Sequence, residues 1–121
     1  MKKHIIGAAV ALGTLFSTVS MSFAEELLVP HLTYRVGPFA ANGTMGANAI
    51  TDYFTMLNER DGGIGGIPLI VEECETGYKP NKGVECYEKV KDKKPVVIKP
   101  WSTGITLQLL PKSPVDKIPL H

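Results

Sequence analysis

Pro95-Val96-Val97-Ile98-Lys99-Pro100-Trp101-Ser102-Thr103-Gly104 is the stretch whose reading decides the fold. Its first part is a wholly apolar run, Val96 to Ile98, bounded by prolines. A run with no polar residue alternating through it suits a strand buried on both faces, central in a parallel sheet. The second part, Pro100 to Gly104, is a loop. Ser102 or Thr103 can cap a following helix that carries Ile105, Leu109 and Leu110. Pro111 and Pro114 interrupt that helix. Ile118-Pro119-Leu120-His121 then reads as the start of a further strand.

Toward the N-terminus the same strand–loop–helix unit recurs twice. Leu27 to Tyr34 is a buried strand, in which Pro30 argues for an irregularity or a sheet edge. Gly37 to Thr44 is a loop by its Gly, Pro and Asn content. The helix that follows takes Asn42 or Thr44 as N-cap, carries Ile50, Tyr53, Phe54 and Leu57 on one face, and stops at Gly62-Gly63. Leu69 to Glu73 is the second strand, and a loop follows through Lys79. Pro80 opens a second helix, running to Lys91, with Val84, Tyr87 and Val90 inward. Lys89, Lys91, Lys93 and Lys94 crowd its C-terminus, where cations complement the negative end of a helix. The order β-α-β-α-β-α-β predicts an α/β fold: a partial doubly wound parallel sheet with right-handed crossovers.

Residues 1–24 fall outside this pattern. Met1-Lys2-Lys3-His4 is basic, Ile5 to Val19 is almost continuously apolar, and Ser22-Phe23-Ala24 offers small residues to a signal peptidase. The apolar run is short of the roughly 20 residues that span a bilayer, so a cleaved export signal is expected and a stable membrane anchor is not. Residues 25–121 remain as one domain. With 121 residues in all, 44% hydrophobic, 21% charged and a net charge of +1, the chain is globular and too weakly charged for a dedicated nucleic-acid binder. Export to an oxidising compartment makes a disulfide the expectation for Cys74 and Cys86. His31 and His121 are too few to add to them as metal ligands.

In open parallel sheets, ligands bind outside the carboxyl ends of the strands. Three loops lie there: Gly37 to Thr44, Glu75 to Lys79, and Trp101 to Gly104. The third offers two hydroxyls and free backbone N–H groups to a carboxylate, with Trp101 beside them to cover an apolar moiety. The plainer reading is that Ser102 only caps its helix and Trp101 only packs. No nucleophile elbow, phosphate loop or zinc motif is present, so no enzymatic activity, metal or cofactor is expected. Glu72, Glu73 and Glu75 read as solvated surface. The glycines at 62–66 follow a helix, the wrong context for a dinucleotide fingerprint.

Gly37-Pro38-Phe39-Ala40-Ala41-Asn42-Gly43, Leu57-Asn58-Glu59-Arg60-Asp61-Gly62-Gly63-Ile64 and Gly66-Ile67-Pro68-Leu69 resemble the opening of a periplasmic substrate-binding protein. The resemblance is to the branched-chain amino acid (leucine-binding-type) receptors of ABC transporters, with the type I periplasmic fold. Cys74 to Tyr78, Gly83 to Glu88 and Pro100 to Gly104 are similar to one branch of it. The resemblance implies two α/β lobes that close on a small-molecule ligand and present it to an ABC permease. It implies ligand contacts from Phe39 and Asn42 in the first loop, Tyr78 in the second, and Trp101, Ser102, Thr103 and Gly104 in the third. Several relatives carry an aromatic residue where Asn42 stands, so a leucine-like specificity is not implied. Members are several times longer, so the chain is expected to be an incomplete N-terminal lobe, a fragment unable to bind tightly alone. The alternative expectation is a small autonomous secreted module stapled by Cys74–Cys86.

Overall fold

Leu27-Leu28-Val29-Pro30-His31-Leu32-Thr33 forms β1 (Leu27–Thr33), the middle strand of a three-stranded sheet in the computed structural model, which describes residues 25–121. The expected export signal, residues 1–24, lies outside the described residues. β2 (Leu69–Glu75) runs parallel to β1 in the register Leu27↔Leu69 through Thr33↔Glu75. β3 (Lys99–Pro100) runs parallel on the other side, with His31 opposite Lys99. α1 (Ala40–Asp61) and α2 (Pro80–Val90) make the two crossovers. α3 (Thr103–Leu109) and α4 (Ser113–Asp116) follow β3. A parallel bridge joins Ile98 to Leu120, so a fourth strand begins where the sequence expects it.

Pro30 does not mark an edge, because β1 is central and Pro30 is buried. The peptide groups of a strand point alternately to its two neighbours. Leu28 and Leu32 both accept hydrogen bonds from the β3 side, from Val96 (3.0 Å) and Trp101 (3.3 Å). Pro30 lies between them, so its missing N–H falls on the side where the ladder is only two residues long. The long ladder to β2 loses nothing.

The apolar run at 96–98 also differs from expectation. The strand assignment shifts to Lys99–Pro100, Val96 is exposed, and only Ile98 is fully buried. Ile98 does have neighbours on both sides, because its peptide bonds the fourth strand through Pro119 and His121.

Alternation along β1 gives the sheet two unlike faces. Leu32 points into a core with Tyr87, Val90, Ile98, Ile105, Leu109 and Ile118, between the sheet and α2/α3. Leu110, expected in that face, is exposed because α3 has already ended. Gly83 lies against the Ile105 side chain with no room for a Cβ, which lets α2 and α3 approach closely. The Tyr87 hydroxyl donates to Asp116 Oδ2 at 2.8 Å and ties α2 to α4. Burial, and then this carboxylate, push its pKa well up. Cys74 of β2 is disulfide-bonded to Cys86 of α2, with Cα atoms 5.8 Å apart.

The opposite face carries α1. This helix starts at Ala40 with Phe39 in the capping position and no side-chain cap, so Asn42 and Thr44 lie inside its first turns. Gly43 explains the earlier start. It sits against the carbonyl and ring of Tyr34 with no space for a side chain, which fixes the helix close to the end of β1. The helix stops at Gly62, left-handed at φ 72°, as its sequence predicts. Its expected apolar face is only half-covered: Gly43 and Ala47 are buried, whereas Ile50, Phe54 and Leu57 are intermediate and Tyr53 is exposed.

The disulfide closes a segment of sequence separation 12. Replacing both partners, Cys74→Ser with Cys86→Ser, is expected to lower the unfolding free energy by roughly 3 kcal/mol, read as a lower urea midpoint by circular dichroism.

Candidate functional site

Parallel pairing brings the loops after β1, β2 and β3 to one end of the sheet. The third loop is the most ordered by hydrogen bonds. Ser102 is extended, its N–H donates to the Pro100 carbonyl at 2.6 Å, and its Oγ accepts from the Ile105 N–H at 3.5 Å. Ser102 therefore does cap α3. Its hydroxyl proton is left over, and among the described residues the N–H groups of Thr103 and Gly104 have no protein partner. The Thr106 hydroxyl donates to the Ser102 carbonyl at 2.9 Å and stiffens the turn. Thr103 is exposed, and Ser102 is 7% exposed.

The second loop is fastened to β1. The N–H and hydroxyl of Thr76 both donate to the Thr33 carbonyl, at 2.8 and 2.7 Å. Tyr78 then takes a left-handed backbone at φ 64° and aims its ring at the first loop. That ring meets Tyr34 edge-on at 4.8 Å between centroids and Phe39 at 4.6 Å. Tyr78, Trp101, Ser102, Thr103, Thr106 and Pro100 together line an open cleft of about 410 Å³. The cleft thus collects four of the residues that the sequence singles out, with Phe39 joined to them through Tyr78. Gly104 stands beside the Pro80 ring rather than in the lining, and Asn42 is solvent-exposed in the first turn of α1.

Trp101 does two things at once. It lines the cleft, and the six-membered part of its indole lies on Gly46 of α1, where a Cβ would come within 2.8 Å of Cζ2. It also walls a larger apolar groove of about 540 Å³ under α1, lined by Ile50, Tyr53, Phe54, Val97 and His121.

The α1 face of the sheet is charged. Arg35 donates through Nε and Nη2 to both carboxylate oxygens of Glu73, at 2.6 and 2.7 Å, and through Nη1 to Asn48 Oδ1 at 2.8 Å. The Arg35 N–H donates to Glu75 Oε2 at 2.7 Å. The hydrogen bond from Arg35 holds the Glu73 carboxyl below its ordinary pKa. Glu73 and Glu75 are exposed and Glu72 is half-exposed, as surface residues, and they also make ion pairs and hydrogen bonds there, Glu72 with Lys93 at 2.6 Å. Through Arg35, Glu73 is linked to Asn48 and ties α1 to the end of β2.

His31 lies between them, fully buried, with neither ring nitrogen hydrogen-bonded. Burial pushes its pKa down to about 4. Sequence reading considered His31 only as a metal ligand. The available signal was its place between Val29 and Thr33 on one face of an apolar strand. Lys99, opposite it in β3, also has its pKa lowered by burial, and its Nζ lies 2.7 Å from His121 Nδ1.

Residues 26–120 match the profile of the periplasmic binding protein family. The chain belongs to that family. As a member, it resembles several solved structures. An ABC transporter permease from the Pseudomonas fluorescens group is 38% identical, with a TM-score of 0.74 over 80% of this chain and 24% of that one. A fatty acid ABC transporter substrate-binding protein from Thermomonospora curvata is 21% identical, with a TM-score of 0.72 over 78% of this chain and 24% of that one. The branched-chain amino acid transporter substrate-binding protein LivJ from Streptococcus pneumoniae, solved with isoleucine, is 18% identical, with a TM-score of 0.71 over 79% and 28%. The last two likenesses concern the fold alone. The periplasmic binding chain described here spans about a quarter of the length of these structures. No curated protein matches it. Among the described residues no helix is long and apolar enough to cross a membrane.

The low pKa of His31 makes stability depend on pH. Unfolding raises that pKa from about 4 to the ordinary 6.5, so the unfolded chain binds the extra proton. Stability is fully present above pH 6.5 and is lost as pH falls toward 4. Between pH 7 and pH 5 this residue is expected to remove about 2 kcal/mol, measured by urea unfolding at each pH. His31→Phe removes that part of the slope.

Proposed function

We propose that this chain supplies one face of the ligand site of an ABC-transporter solute receptor for amino acids or related small carboxylates. The observation that carries the reading is the convergence of the second and third loops on a cleft around Ser102, at the carboxyl ends of parallel strands, with the first loop joined to it through Phe39 and Tyr78. There a spare hydroxyl proton and two unpartnered N–H groups stand beside the rings of Trp101 and Tyr78. Three such donors suit a carboxylate, and the two rings suit an apolar substituent. Phe39, through its contact with Tyr78, extends the apolar wall, whereas the ligand contacts proposed for Asn42 and Gly104 rest on the family resemblance alone. The reading assigns the chain no catalysis, metal or cofactor.

Relatives that are receptors imply the rest of the proposal. The chain is exported to the periplasm by a cleaved signal at residues 1–24, residues 25–121 form the incomplete N-terminal lobe, and the partner of the complete receptor is a membrane permease. The cleft is open on one side, so a ligand bound to this chain alone keeps its second face in water. Affinity from one face is therefore weak.

Nuclear magnetic resonance of the full chain, titrated separately with L-isoleucine and benzoate, tests this. The expected outcome is unsaturated shift changes in the millimolar range, confined to Trp101, Ser102, Thr103, Gly104 and Tyr78. Ser102→Ala is expected to abolish them and to cost about 1 kcal/mol of stability through the lost cap. Shifts that map elsewhere, or no shift with either probe, overturn the ligand reading. Micromolar binding in calorimetry overturns the one-sided site.

A further inference from the structure

We propose that His31 is a positioning residue for Trp101: its uncharged ring holds the indole against Gly46, in the wall of the cleft, and proton uptake at His31 releases it. The proposal rests on reading that cleft as the ligand face.

Geometry carries the first half. The His31 and Trp101 rings meet edge-to-face, with centroids 5.6 Å apart and planes at 81°. On its other side the indole touches Gly46, where any side chain would strike Cζ2, Cε2 and Nε1. Trp101 is 39% exposed, and it contacts both the middle strand and α1. A buried imidazole with both nitrogens unbonded is unfavourable to keep, and here its contribution is this contact.

The surrounding charges carry the second half. From β2, Glu73 stands in register with His31, but Arg35 already occupies both its carboxylate oxygens. From β3, Lys99 stands opposite His31 on the other side, with His121 at its Nζ. Arg35 supplies a second cation from the loop after β1. α1 presents Gly46, Asn48 and Thr51, with Asn48 committed to Arg35. Burial is the main force against an imidazolium here; the Glu73 carboxylate attracts it, and Lys99 and Arg35 repel it. Proton uptake therefore displaces the ring, and Trp101 moves with it.

Trp101 is the single tryptophan of the chain, so its fluorescence reports this site alone. Emission and acrylamide quenching of the full chain are followed against pH, with far-ultraviolet circular dichroism on the same samples. In the unsubstituted chain the emission is expected to shift to the red and become more quenchable with a midpoint near pH 4. His31→Phe keeps a ring but takes no proton, and is expected to move that transition down by about one pH unit or more. Gly46→Ala, pressing on the indole from α1, is expected to raise the exposure of Trp101 above its present 39% already at neutral pH. An acid transition that His31→Phe shares with the unsubstituted chain overturns the proposal, whether or not helix is lost in the same step. So does a Gly46→Ala chain whose Trp101 is quenched no more than in the unsubstituted one. L-Isoleucine and benzoate, added in the same cuvettes, test the cleft separately. A silent ligand arm with the His31 transition intact removes the ligand reading and leaves the His31–Trp101 coupling standing.

Discussion

Everything at the candidate site depends on the parallel pairing of β1 with β2 on one side and β3 on the other. Parallel strands cannot be joined by tight turns, so each connection must cross the sheet as a helix. The same constraint sends the chain out of every strand at the same end. Phe39, Tyr78 and Ser102 lie far apart in sequence, yet they are delivered to one rim without any contact having to select them. Local devices then refine the rim. Thr76 anchors the second loop to the carbonyl of Thr33, and Ser102 closes the third on the Ile105 N–H.

The two faces of that sheet are held by different forces. Beneath α2 and α3 the contact is dry, and Leu32, Tyr87, Ile105 and Leu109 exclude water together. Hydrophobic burial dominates there. Beneath α1 the sheet presents His31, Glu73 and Lys99, and the helix is held by directed bonds toward both ends: Asn48 accepts from Arg35, and the Asn58 amide both donates to the Leu69 carbonyl and accepts from the Leu69 N–H, at 2.8 Å each. Between these bonds it leans over an apolar groove that no described residue fills. One helix is thus pinned by polar bonds toward its two ends and sparsely covered by apolar contacts between them.

Much of this architecture is legible in the residues. The crossover order, the Gly62 stop, the Pro80 start, the Ser102 cap and the Cys74–Cys86 pairing each follow from a local rule, because each is decided by a few neighbouring atoms. What escaped was decided by tertiary contacts. Pro30 suggests an edge, and only the shortness of the β1–β3 ladder lets it sit in the middle strand. Asn42 has the chemistry of a cap, yet the close approach of Gly43 to Tyr34 draws the helix start back to Ala40. Glu73 and Glu75 do face solvent, as they look, but their bonds to Arg35, remote in sequence, have no local signal. His31 carries no local signal of its contact with Trp101, since that contact joins two strands through side chains alone.

Pro30 has a consequence for motion. The sheet is laced tightly between β1 and β2 and loosely between β1 and β3, where one donor is missing and two residues pair. Amide exchange ought therefore to be graded across the sheet, slow on the β2 side and faster toward β3. The loop with the spare hydroxyl and N–H groups hangs from the looser strand. The yielding joint of the sheet therefore lies next to the cleft, while the β1–β2 half stays stiff.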